Sequence, residues 1–493
     1  MYSLDKITND VENFSSDINR EYYLNGAGLK DDLNISTIYK KYQHLFNKQL
    51  IAEVKTRRRQ ASGEDERKLR YLQSFFLENY LGMAVKEFTD KVETMQTKGI
   101  IKPDGEEIPF RLALVKIINE PNRHKREKLY QARNKFIDKI NVPLLERMQK
   151  LHDVSREFGY ENYMSLFRDI KAIDFQVLKD IMQNFIKQTE TIYTRRMDEE
   201  LEEKVAVGLA EAEKHDVSFF LRAKEFDKYF KKEDMLKVLR GTLANMGINL
   251  EEQKNIHVDI EERPKKSPRA FCSTIKTPED VKLVIMPQGG HDDYAALFHE
   301  AGHTEHFASV NPDLPIEYKW LGDNSVTETY AFLFEYLLTD RNWLEQSIRI
   351  DIAEQYLRFL ALYKLLYLRS YGAKISYEIK LHTSDLYGMG EVYKDICENV
   401  LKYRHPTNHY LITVDDAFYC AQYLQAWIFE AQLHGFLQKE YGDEWFNNPK
   451  AGKYLLDMWA NGQKYNVGEL AKTLGYSGLN IQPLTESIMK RLR

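Results

Sequence analysis

Leu, Ile, Phe and Tyr recur three and four positions apart over most of the chain, with Lys or Glu between them, and this spacing predicts long amphipathic helices. One such pattern runs from Asp174 to about Lys214, with Asp174 placed as N-cap ahead of Phe175 and Val177. Breaks are expected at residues 25–28, at the Lys102, Pro103, Asp104, Gly105 turn, at Glu120 and Pro121, and at residues 141–143. Apolar residues flank the Pro103 turn on both sides, which predicts a short hairpin. Between about Asn255 and Met286 the pattern changes. The stretches NIHVDI, RAFCSTI and VKLVIM are short, rich in β-branched residues and separated by Pro264, Pro268 and Pro278, so a small sheet is expected there. Pro287, Gly289 and Gly290 then form a turn, and a new helix begins near Tyr294. A further helix, DNSVTETYAFLFEYLL, can be capped by Asp323 or Ser325. No internal repeat or low-complexity linker interrupts this order, and the fold class read from it is mainly α with one small sheet.

Composition narrows the picture. At 493 residues the chain exceeds one minimal core and is long enough to enclose a cleft. Its 43% hydrophobic and 29% charged residues are the balance of a globular protein. A net charge of −5 gives no reason to expect nucleic acid, and the basic run at residues 55–70 also holds Glu64, Asp65 and Glu66, as a solvated helical face does. Three widely spaced cysteines, Cys272, Cys397 and Cys420, match no disulfide or zinc framework and fit a reducing compartment. The polar N-terminus and the lack of any apolar run of about 18 residues support neither a signal peptide nor a membrane span, so a cytoplasmic location is expected.

The helix after the sheet carries the candidate chemistry. It reads YAALFHEAGHTEHF, so His299 and His303 stand one turn apart on one face and can grip a single cation. Zinc takes neutral imidazole and carboxylate ligands, and a catalytic site leaves one position for water. Glu300, beside the first histidine, is placed to take a proton from that water rather than to bind the metal. A third ligand is expected from a second helix, where Glu328 and Glu335 lie two turns apart among Val326, Tyr330, Leu333 and Phe334. Glu328 is assigned as that ligand and Glu335 as the residue that orients a ligand imidazole. One Zn2+ per chain follows. The strand VKLVIM reads either as a sheet edge that pairs with a substrate backbone or as an interior strand.

HEAGHTEH followed by VTETYAFLFE resembles the thimet oligopeptidase and oligoendopeptidase F family of zinc peptidases. Glu328 falls 25 positions after His303, the spacing that family uses for its third ligand, and Asp293 and His306 also stand at family positions. The likeness covers residues 268–436, including FYCAQYLQAWIFEAQL. It implies a two-lobed helical body around a deep substrate channel, with a helical N-terminal lobe at residues 1–250 as wall and lid. A catalytic lobe at residues 251–493 would hold the small sheet beside the metal. It implies hydrolysis of peptide bonds in oligopeptides and an oxyanion held by a tyrosine, for which Tyr419 and Tyr423 match best. The family's Gly-rich loop and histidine before these tyrosines are replaced by LITVDDAF, its third tyrosine is Ala426, and the nearest histidine is His409. Two other readings stand beside this one: a metallocarboxypeptidase of the carboxypeptidase Taq type, whose HES motif is TET here, and a zinc-containing peptide-binding protein with impaired catalysis.

Overall fold

The structure, a computed structural model, describes residues 4–493, with side chains from residue 6 onward. Helix makes up 71% and strand 4%, so the fold is mainly α, as the periodicity predicts. No helix among the described residues is long and apolar enough to cross a membrane.

In chain order, the elements that matter begin with α1 (Leu4–Gly26), the short strands β1 (Ile100–Ile101) and β2 (Ile108–Pro109), and the helices α2 (Arg123–Glu157), α3 (Tyr163–Lys171) and α4 (Phe175–Val205). Strands β3 (Ile256–Asp259), β4 (Phe271–Lys276) and β5 (Asp280–Val284) follow, then helices α5 (His291–Ala308), α6 (Asn324–Glu335), α7 (Ala353–Thr383) and α8 (Tyr419–Tyr441). The chain divides into two compact units, each built from three separated stretches: Met1–Leu77, Lys224–Leu357 and Gln425–Leu484, and Glu78–Ala223, Arg358–Leu424 and Thr485–Arg493. The boundary expected at residue 250 therefore lies inside the first unit. Long-range hydrogen bonding is the reason: Asn19 on α1 donates to the carbonyl of Thr274 on β4 at 2.7 Å, tying the start of the chain to the sheet.

Within the first unit the sheet order is β3-β5-β4, with β5 parallel to β3 and antiparallel to β4. VKLVIM is thus the interior strand, and its fully buried Val281 and Val284 account for the apolar run. The outer strands are β3 and β4. Helices α5 and α6 pack closely because Gly302 has no side chain: a Cβ there would stand 2.5 Å from the Tyr330 carbonyl oxygen and 2.6 Å from the Ala331 Cα. Alanine at this position gains about 1 kcal/mol of helix propensity, but overpacking against backbone that cannot swing aside costs typically about 1–3 kcal/mol. Gly302→Ala is therefore expected to lower stability in chemical denaturation and to weaken metal binding. A variant more stable than the parent would refute the close-packing argument.

In the second unit the expected hairpin is present, with Ile101 paired to Ile108 and both buried against Phe110, Ile137 and Ile140. Asp174 caps α4 by accepting the N–H groups of Gln176 and Val177. That helix ends at Val205, where Ala206 turns left-handed at φ 57°, rather than continuing to Lys214. The break expected at residues 141–143 does not occur, since α2 runs through Pro143. An interior proline costs about 3 kcal/mol, whereas each large apolar side chain buried contributes about 1.5–3 kcal/mol. Ile137, Ile140, Met148 and Leu151 are all buried along this face.

Candidate metal centre

Helix α5 places His299 and His303 one turn apart with ring centroids separated by 4.9 Å. Its N-terminus is set by the Gly-Gly turn, where Asp293 accepts the N–H groups of Gln288 (2.6 Å) and Gly289 (2.9 Å). Of the two capping residues considered for α6, Asp323 caps by accepting the Ser325 N–H. Every residue of α6 from Ser325 to Phe334 is buried, so Glu328 is a carboxylate in an apolar helix, only 4% exposed.

The crossing of α5 and α6 brings Glu328 to the histidine pair. Its Oε2 lies 3.4 Å from His299 Nε2 and 3.7 Å from His303 Nε2, and one donor atom from each residue falls within 4.8 Å of the others. Donors held about 2.0–2.1 Å from one tetrahedral ion stand about 3.4 Å apart, so the spacing suits zinc. The far side of each ring is occupied. Glu335 Oε2 is 2.8 Å from His299 Nδ1, as expected, and Thr327 Oγ1 is 2.7 Å from His303 Nδ1. With Nδ1–H donating to these oxygens, both Nε2 lone pairs face Glu328.

The electrostatics are consistent with a cation among these atoms. Burial alone would lower the His299 pKa, but hydrogen bonds to Glu328 and Glu335 outweigh it and hold the imidazole well above its ordinary value. Burial pushes His303 down to about 4, opposed by Glu328 and reinforced by His299. The two carboxylates thus favour positive charge at this position. A divalent cation bound to the same donors supplies that charge and displaces the proton.

Glu300 is directed elsewhere. Its Oε2 accepts the backbone N–H of Cys272 on β4 at 2.7 Å, which fixes the carboxylate between the sheet and α5. Burial raises its pKa to about 7, against the lowering effect of His299 and of that hydrogen bond. A carboxylate poised near neutrality can take a proton and give it back.

No protein-family model matches this chain, and no curated protein matches it either. The functional reading therefore rests on the site and on the residue-level resemblance. The two outlying family positions have structural contacts: Asp293 holds the turn, and the buried His306 packs on Phe307 and Tyr330 with Nε2 3.3 Å from the Gly462 carbonyl oxygen. Tyr419 and Tyr423 lie in the second unit, one turn apart on α8, with ring centroids 5.0 Å apart. Both are partly exposed, while Cys420, Ala421, Gln422 and Leu424 around them are buried. His409, in the same unit, is turned inward, with Nε2 2.9 Å from Asn134 Oδ1 and Nδ1 3.4 Å from Lys214 Nζ.

Three contributors lie outside the residues singled out from the sequence. Thr327 stands next to the ligand in VTET, yet nothing local shows that its hydroxyl meets His303. The Cys272 amide is a backbone group and carries no sequence signal. Gly302 did carry one, because a glycine inside a strong helical pattern implies a close approach.

Proposed function

We propose that the chain is a zinc-dependent peptidase of oligopeptides, resembling the thimet oligopeptidase and oligoendopeptidase F family. The observation that carries this reading is the convergence of one donor atom each from His299, His303 and Glu328 within 4.8 Å, with the Glu300 carboxylate on the helix of the two histidines. Two imidazoles and one carboxylate form the donor set of a catalytic zinc with an open position. When bound, the metal polarises the scissile carbonyl and makes water a better nucleophile at neutral pH.

The protein's own groups do the rest. Glu300 removes a proton from the attacking water and transfers it to the leaving amine nitrogen, and the Cys272 N–H keeps its carboxylate in one orientation. Glu335 and Thr327 hold the two imidazole rings so that neither rotates away from Glu328. Oxyanion stabilisation by Tyr419 or Tyr423 is supported by the resemblance. A cytoplasmic location belongs to the same proposal, and the three free cysteines agree with it.

Incubation of zinc-loaded protein with quenched peptides of graded length, read by mass spectrometry, is expected to give internal cuts in short peptides. Trimming confined to the C-terminal residue would favour the carboxypeptidase reading. Stoichiometric zinc without any cleavage would favour a binding protein.

A further inference from the structure

Between the β1–β2 hairpin and the N-terminal half of α2 lies a cleft of about 440 Å³, wholly within the second unit. The α2 residues that line it stand at positions 128, 131, 132, 135, 136 and 139. Intervals of three and four residues place them on one stripe of the helix. The apolar part of the cleft is fixed by the fold. Ala132 and Phe136 pack on the buried cluster that holds Ile101 and Ile108, while Ile100 on β1, which also lines the cleft, is 47% exposed. Around this apolar surface stand four lysines, Lys102, Lys128, Lys135 and Lys139.

The charge of this region runs against that of the chain. Residues 98–139 hold eleven lysines and arginines against six aspartates and glutamates, a net +5 where the whole chain carries −5. The acids of the hairpin are already paired: Asp104 with Lys128, Glu106 with Lys116 and Glu107 with Lys102, each at 2.7 Å. Asp138, next to Lys139, accepts the Asn408 side-chain amide at 2.9 Å. Among the described residues no carboxylate pairs with Lys135 or Lys139, and both are exposed. Lys139 Nζ stands 5.9 Å from the centre of the Phe136 ring, at the border between the cationic and apolar surfaces.

We propose that this cleft docks an acidic segment of a partner protein in which aspartate or glutamate alternates with aliphatic residues. The carboxylates meet Lys135 and Lys139, and the aliphatic side chains cover Ile100 and Phe136. The spread of the cations argues for a chain rather than a single anion. Lys128 and Lys139 are eleven positions apart, about 16 Å along the helix axis at 1.5 Å per residue. One phosphate or carboxylate meets only one end of that row, whereas about five residues of extended polypeptide run its length. A strand of nucleic acid calls for exposed rings on which its bases stack, and the one ring lining this cleft, Phe136, is packed against the core. The proposal is independent of the peptidase reading, whose metal donors His299, His303 and Glu328 all belong to the first unit.

The test uses the full chain carrying Glu300→Gln, so that the probe is not cut, and a fluorescein-labelled peptide of about ten residues in which Glu and Leu alternate. Fluorescence anisotropy is expected to show saturable binding that weakens as salt is raised, because screening shortens the reach of exposed charges. Adding Lys135→Glu and Lys139→Glu together, with circular dichroism unchanged, is expected to weaken binding about 10-fold or more. Amide exchange in the complex should slow at residues 100–104 and 128–139, and a peptide alternating Lys and Leu should not bind. No binding of the Glu-Leu peptide, equal affinity with and without the two lysines, or protection confined to other parts of the chain overturns the proposal. A single-stranded oligonucleotide that binds more tightly than the peptide and depends on the same lysines assigns the cleft to nucleic acid instead. Dimerisation in sedimentation that the lysine variant lacks assigns it to a second copy of the chain. Either result overturns the acidic partner. Should the charge-reversed protein fail to fold, Lys135→Ala and Lys139→Ala singly carry the same comparison, each with an expected loss of about 2- to 5-fold.

Discussion

Glu300→Gln is expected to lower kcat by about two to four orders of magnitude, the usual contribution of a general base, while leaving zinc bound. The substitution keeps the size and shape of the side chain and retains an oxygen that can accept the Cys272 N–H now bonded at 2.7 Å. It touches none of the three donor atoms grouped at His299, His303 and Glu328. What it removes is the capacity to take a proton, because an amide oxygen is not a base at neutral pH. Steady-state cleavage of a quenched peptide, together with metal analysis of the same preparation, checks both halves. Undiminished turnover would take Glu300 out of the mechanism, and loss of zinc would make it a ligand rather than a base.

Glu328→Ala is expected to act on the metal instead. It leaves two imidazoles to hold the ion, and the loss of affinity should exceed the roughly 10- to 100-fold that removal of an outer hydrogen-bond partner produces. Two measurements follow from that. After dialysis against a competing chelator the parent should keep one zinc per chain and the variant none. Zinc added at about 1,000 times the dissociation constant stabilises the native state by about 4 kcal/mol, so the parent's Tm should rise with zinc and the variant's should not. Retention of stoichiometric zinc by Glu328→Ala would break the ligand assignment.

The amino-acid order exposes some of this architecture better than the rest. The helical class, the Pro103 hairpin, the Asp174 cap and the helix carrying HEAGHTEH all follow from interactions within a few residues, and each is present. The contact between His299 and Glu335 was also foreseeable, since an acid two turns beyond Glu328 on the same helix shares its direction. Pro143 misleads because its local penalty is opposed by burial along the whole face of α2, a sum that no short window contains. The course of the units misleads for a related reason. The hydrogen bond from Asn19 to Thr274 spans 255 positions, and no pattern near Asn19 announces it.

The metal centre divides along the same line. Two imidazoles on one helical face, with a carboxylate beside them, are a consequence of 3.6 residues per turn and could be read from HEAGH alone. That Glu328 meets them is a tertiary fact. It depends on α5 and α6 touching at Gly302, where a single Cβ would collide with the Tyr330 carbonyl oxygen. The fixing of the His303 imidazole by Thr327 and the anchoring of Glu300 by a strand amide arise the same way. Periodicity ranks the faces of each helix, but the pairing of faces is settled by packing and hydrogen bonding between segments far apart in the chain.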